Sequence, residues 1–102
     1  MYLNNVTIAV NVEAIGIISS LINSINCKEI KGRVKDNKAY YELIDALWVE
    51  GFDKATDALI AALSNLQPEA YAFVRMGNDY DDTEIHGTIE NFGITITRTV
   101  SY

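Results

Sequence analysis

The chain has 102 residues, 49% hydrophobic and 22% charged, with one proline and one cysteine. That composition fits one folded domain with a core of its own. It argues against disorder, against a disulfide scaffold and against a second domain. A net charge of −6 is a poor start for direct nucleic-acid binding, which relies on cations that displace phosphate counterions, and suits a basic protein surface as partner.

Residues 3–12 alternate Val6, Ile8, Val10 and Val12 with Thr7, Ala9 and Asn11, the period of a strand with one buried face. Residues 13–26 place Ile15, Ile18, Ile22 and Ile25 at helical spacing, although Gly16 and the Ser19-Ser20 pair weaken the intrinsic preference. Residues 28–36 hold only Ile30 and Val34 as large apolar residues among lysines. They read as an edge strand or an extended connector. Residues 37–50 carry a helical stripe of Tyr40, Leu43, Ile44 and Leu47, with Asp36 or Asn37 as N-cap and Gly51 just past the end. A further helix over 53–66 would bury Ala55, Ala58, Leu59, Ala62, Leu63 and Leu66, capped by Asp53 and followed by Pro68.

The remainder reads as strands over 69–76, 84–90 and 93–101, the last two joined tightly through Asn91-Phe92-Gly93. The expected fold is α+β: an antiparallel sheet of about four to five strands with three helices on one face, in the order β-α-(β)-α-α-β-β-β. The first strand joins that sheet beside or between the others. On β-strand 69–76, either Tyr71 and Phe73 or Ala70, Ala72 and Val74 must point away from the helices. An open face with aromatic, Arg and Thr side chains suits protein contact, including a symmetric homodimer.

Charge is segregated along the chain. Residues 28–38 hold five cations (Lys28, Lys31, Arg33, Lys35, Lys38) against Glu29 and Asp36, a net +3 that leaves −9 for the rest. The basic stretch suits a solvated connector or a contact with a phosphate, RNA or an acidic protein, but it lacks aromatics to stack bases. Glu42, Asp45, Glu50, Asp53 and Asp57 lie on the two central predicted helices.

The densest acidic stretch is Asp79-Tyr80-Asp81-Asp82-Thr83-Glu84. We expect Asp79, Tyr80, Asp81, Asp82 and Glu84 to form a partner-binding surface. Set in an EF-hand frame, Asp79, Asp81, Thr83 and Glu90 fall at ligand positions, but Glu84 stands where glycine is needed. The alternative is a metal- or small-molecule-binding domain that uses this loop and His86, the sole histidine, which shares a strand face with Glu84, Thr88 and Glu90. Cys27, followed by Lys28, is better placed as a boundary residue than as a nucleophile. No dinucleotide, Walker, CxxC, HExxH or GxSxG motif is present. Neither catalysis nor a cofactor nor a resident metal is therefore expected.

In size, acidity and absence of catalytic motifs, with Asp79, Asp81, Asp82 and Glu84 as its densest acidic positions, the chain resembles phage-carried anti-defence proteins, anti-CRISPR proteins among them. The resemblance is one of general character, with no shared motif and no functional residue to carry over. It implies an inhibitor that binds a nucleic-acid-targeting defence complex on its basic surface. Charge reversal at Asp81 and Asp82 should weaken such a complex. A single cysteine, no basic-then-apolar leader, and no apolar run near the roughly 18–20 residues of a membrane span lead to the expectation of a cytoplasmic protein, in the host cytoplasm if phage-encoded. A structural homodimer of a mobile element is the remaining expectation.

Overall fold

The structure, a computed structural model, describes residues 3–77 and 82–96. Its elements run β1 (Leu3–Asn11), α1 (Ile15–Ile22), β2 (Glu29–Lys35), β3 (Lys38–Leu47), α2 (Lys54–Ser64), β4 (Tyr71–Met76) and β5 (Thr83–Gly87), with short 3-10 turns at Val12–Ala14, Pro68–Ala70 and Ile89–Phe92. The five strands form one antiparallel sheet in the order β2-β3-β1-β4-β5. The α+β class and the antiparallel sheet agree with the sequence reading, and β1 lies at the centre, between β3 and β4.

One expected helix is a strand. Residues 38–47 form β3, which pairs with both β1 and β2. The sheet is therefore packed by two α-helices rather than three. The physical reason lies in two neighbouring residues. Asp36 and Asn37 both have positive φ, 54° and 62°, the geometry of a two-residue hairpin turn whose twist matches that of the strands. Asn and Asp tolerate this conformation better than most residues. The pair read as an N-cap is thus the turn between β2 and β3, closed by Lys35 opposite Lys38. Along β3, Ala39 and Leu43 are buried against the helices, while Tyr40 takes part in the cluster on the other face. A period of two was therefore present beneath the helical stripe.

A bulge then resets the strand. Two residues of β3, Ile44 and Asp45, stand where β1 has only Asn5, as the register changes between Asn4 and Val6. Asp45 takes φ 52°, and its amide donates to Asn5 Oδ1 at 3.2 Å. The extra residue turns Ala46 and then Trp48 inward, both buried.

The helix-covered side holds the main core. Val6, Ile8 and Val10 of β1, Leu43 of β3 and Phe73 of β4 meet Ile18 and Ile22 of α1 and Leu59 and Leu63 of α2. Asp53 caps α2 by accepting from the Ala55 amide at 3.0 Å. The buried face of α2 includes Thr56, whereas Ala58 is exposed. This corrects the stripe read from sequence.

On the opposite side lies a smaller cluster. Phe92 packs over Ala9 and Ala72, flanked by Tyr40, Ile89 and Ile94. Ala72 and Val74 are thus the β4 residues that face away from the helices. This face is not open along its whole length, because the Ile89–Phe92 turn crosses it. Tyr40 Oη donates to the Phe92 carbonyl at 2.9 Å, and Lys38 Nζ to the Asn91 carbonyl at 2.6 Å. Residues 94–96 are not a strand, and the rest of the strand expected over 93–101 lies outside the described residues.

Candidate functional site

At one end of the sheet, apolar and acidic groups come together. Leu3 opens β1 opposite Leu47, which closes β3. The chain then runs through Trp48, Val49 and Gly51 into α2. Phe52 stands 89% exposed, with Leu3 and Val49 also exposed. Leu47, Val49 and Phe52 border an open surface depression with Asp53 and Lys54. The turn that presents Phe52 is fixed: the Phe52 and Asp53 amides donate to the Val49 carbonyl, and the Gly51 amide donates to Asp57 Oδ1 at 2.8 Å. Gly51 takes φ 84°, a conformation glycine adopts without penalty. A ring held almost wholly in water by an ordered turn is an unusual placement for so large an apolar group.

Beside this patch lies a charged cluster at the same end of the sheet. Arg75, near the end of β4, donates to three partners: Nη1 to Asn4 Oδ1 at 2.9 Å, Nη2 to Asp82 Oδ1 at 2.9 Å, and Nε to Glu84 Oε1 at 3.0 Å. Asn4 is buried, so the guanidinium satisfies a polar group that water does not reach. The second Glu84 oxygen lies 2.6 Å from His86 Nε2. The His86 ring packs against Phe73, and Phe73 against Trp48, with centroids 5.5 Å apart in each pair. Trp48 Nε1 donates to Glu50 Oε1 at 3.1 Å. Burial raises the Glu84 pKa, but hydrogen bonds from His86 and Arg75 outweigh it and hold the carboxyl below the usual glutamate value. Arg75, bonded to Asp82, is pushed above the ordinary arginine value.

Of the residues expected to bind a partner, Asp79, Tyr80 and Asp81 lie outside the described residues. Asp82 and Glu84 are brought together by Arg75, and the Gly77 amide donates to the Asp82 carbonyl at 2.8 Å. Both carboxylates thus have a role inside the fold. Among the described residues, no group of three or more His, Cys, Asp or Glu side chains is arranged to hold a metal ion. His86 shares Glu84 with Arg75. Cys27 is half-buried, and burial pushes its thiol pKa up, the direction opposite to a reactive thiolate. Among the described residues no helix is long and apolar enough to cross a membrane.

The basic stretch maps mainly onto β2. Every residue of this strand is exposed, and among the described residues it pairs only with β3. Arg33 lies over the Tyr40 ring, 5.1 Å from its centroid. Lys31, Arg33, Tyr40, Glu42 and Ile94 help to line a groove of about 460 Å³ on the side of the sheet away from the helices. The Phe52 patch was not singled out from sequence. Its only trace there is a Phe between Gly51 and Asp53, just outside the predicted stripes. No protein-family model, curated protein or solved structure matches the chain.

Proposed function

We propose that this domain acts without catalysis, by binding another protein, and that its sheet end carrying Phe52 is the main contact. The observation that carries this reading is the exposed Phe52 with Leu47 and Val49 beside it. Aromatic side chains, Phe among them, are enriched at protein interfaces. The surroundings of Phe52 add the second half of the chemistry. Glu50 and Asp53 adjoin the patch, and the strands that flank the acidic stretch at 79–82 end at the same edge of the sheet. The partner that fits has an apolar pocket with cations around it.

A basic protein surface of this kind is what a nucleic-acid-targeting complex presents to its nucleic acid. The finer proposal is therefore an inhibitor of a bacterial defence complex, in the manner of phage-carried anti-CRISPR proteins, acting in the host cytoplasm. The resemblance in general character and the net charge of −6 support it. Because Asp82 belongs to the Arg75 cluster, Asp79 and Asp81 are the better positions for charge reversal.

The test is affinity capture by the tagged chain from a bacterial host lysate, followed by titration of the captured protein. Phe52→Ala should weaken the complex by about 30-fold, the loss of an interface anchor. Asp79→Lys with Asp81→Lys should weaken it further and reduce the dependence of association on salt. Failure to retain any protein, or equal affinity for Phe52→Ala, would overturn the reading. Inhibition of plasmid interference in cells tests the finer proposal.

A further inference from the structure

We infer that β2 is a receptor edge for an extended segment of a partner protein, one whose side chains alternate between acidic and apolar. This rests on the reading of the domain as a protein-binding module, and it uses a different surface from the Phe52 end.

The backbone supplies the first requirement. Among the described residues, β2 is a seven-residue edge strand hydrogen-bonded only to β3, with every residue exposed. An edge strand with a free row of amide and carbonyl groups can take a further strand. Side-chain alternation supplies the second. Lys31, Arg33 and Lys35 share one face of the strand, the face of Tyr40 and Glu42. Ile30 and Val34 share the other, 36% and 64% exposed. A strand laid along β2 would meet cations on one side and aliphatic groups on the other.

The charges are available. Among the described residues, no ion pair engages Lys31, Arg33 or Lys35, whereas Arg75 on β4, next to the far edge strand, is paired twice. Lys38 differs, because its ammonium is bonded to the Asn91 carbonyl and lies over the Phe92 ring. Stacking on Tyr40 holds the Arg33 guanidinium on the face where an acidic side chain would arrive. These cations stand out in a chain whose remainder is strongly negative.

The same features decide against other occupants. A second copy pairing β2 with β2 would set lysines against lysines and arginine. A nucleic-acid strand would use the cations but neither the backbone edge nor Ile30 and Val34, and would face repulsion from the acidic remainder.

The test uses the whole chain and a capped heptapeptide of alternating Glu and Val. Controls are a peptide of the same composition with the Glu and Val residues in separate blocks, and a single-stranded oligothymidylate. Amide chemical shifts and hydrogen exchange are followed by NMR. The alternating peptide should protect every second amide of residues 29–35. Lys31→Glu, Arg33→Glu and Lys35→Glu together should weaken it by about tenfold, the loss expected for three exposed charge pairs. All three positions are exposed, so the fold should persist, and the dispersion of the NMR spectrum checks this. Equal binding of the blocked peptide, tighter binding of the oligothymidylate, or no response in β2 would each overturn the inference. If β2 fails to respond while partner capture still depends on Phe52, this inference alone falls. If β2 binds the alternating peptide while no protein is captured through Phe52, the reading of the Phe52 end falls instead.

Discussion

At the β5 side of the sheet, charged groups are held in ion pairs within the fold. Arg75 gathers Asp82 and Glu84, satisfies the buried Asn4, and through Glu84 is connected to His86. At the β2 edge, Lys31, Arg33 and Lys35 stand exposed with no carboxylate partner among the described residues. Two edges of one sheet thus treat charge in opposite ways. The densest acidic stretch of the sequence is partly a structural device, whereas Lys31, Arg33 and Lys35 of the basic stretch take part in no ion pair among the described residues. Charge density in a sequence is therefore a poor guide to which charges remain available to a partner.

The largest effect that would test this contrast is Arg75→Ala. It removes the donor for Asn4 and the counter-charge of two carboxylates, and should destabilise the fold by about 2–3 kcal/mol. Urea denaturation followed by the fluorescence of Trp48, the single and buried tryptophan, measures this. A loss under about 0.5 kcal/mol, the range of ordinary surface substitutions, would mean that the cluster is no more structural than the β2 edge.

Acid should dissect the same cluster. The folded-state pKa of Glu84 lies below its ordinary value, so its contribution is complete above the ordinary glutamate pKa. It declines as pH falls below that value and is lost once pH passes the lowered folded-state pKa. Glu84→Gln should flatten that part of the stability-pH curve relative to the native chain. Parallel curves for the two proteins would remove Glu84 from the account.

A smaller effect belongs to the turn that creates the β2 edge. Asn37 at φ 62° tolerates a left-handed conformation that alanine resists. Asn37→Ala should cost about 1 kcal/mol, and Asn37→Gly should be neutral or stabilising. Thermal denaturation of the two variants separates a hairpin turn from a helix start, where glycine would bring no advantage over alanine.

The smallest effect is expected at β2 itself. Replacing Lys31, Arg33 and Lys35 together by alanine should change stability by no more than about 0.5 kcal/mol, as for other exposed positions outside a network. A loss of 2 kcal/mol or more by the same urea measurement would show that these cations serve the fold, and the contrast between the edges would fail.

Much of the fold was legible in local pattern. The alternation of Val6, Ile8 and Val10 marked β1. The capped, leucine-bearing run after Asp53 marks α2, and the lysine-rich stretch around Ile30 and Val34 fits an edge strand or an extended connector, of which the structure shows the strand. The error at 37–50 was one of period. Tyr40, Leu43, Ile44 and Leu47 fit a helix, while Ala39, Tyr41 and Leu43 fit a strand, and a bulge at Ile44-Asp45 disrupts the strand's alternation before Ala46 and Trp48. The decisive signal was Asp36-Asn37, which serves equally as a cap or as a hairpin turn until a partner strand is known.

The candidate site was less legible, because exposure is a property of the assembled chain. Nothing in the local sequence of Phe52 distinguishes an anchor held in solvent from a core residue.

Composition and local spacing are enough to specify an acidic α+β chain with a period-two first strand, a capped helix after Asp53 and a basic island apart from the remaining negative charge. These follow from composition and from spacings within a few residues. That residues 38–47 extend as β3, that β1 is central, that Asp82 and Glu84 are held by Arg75, and that Phe52 and the β2 cations remain outside emerges when the chain is assembled. Each of those outcomes depends on contacts between segments far apart in the chain: strand pairing satisfies backbone groups that no local pattern can assign, and burial or neutralisation is set by whichever distant side chain arrives opposite.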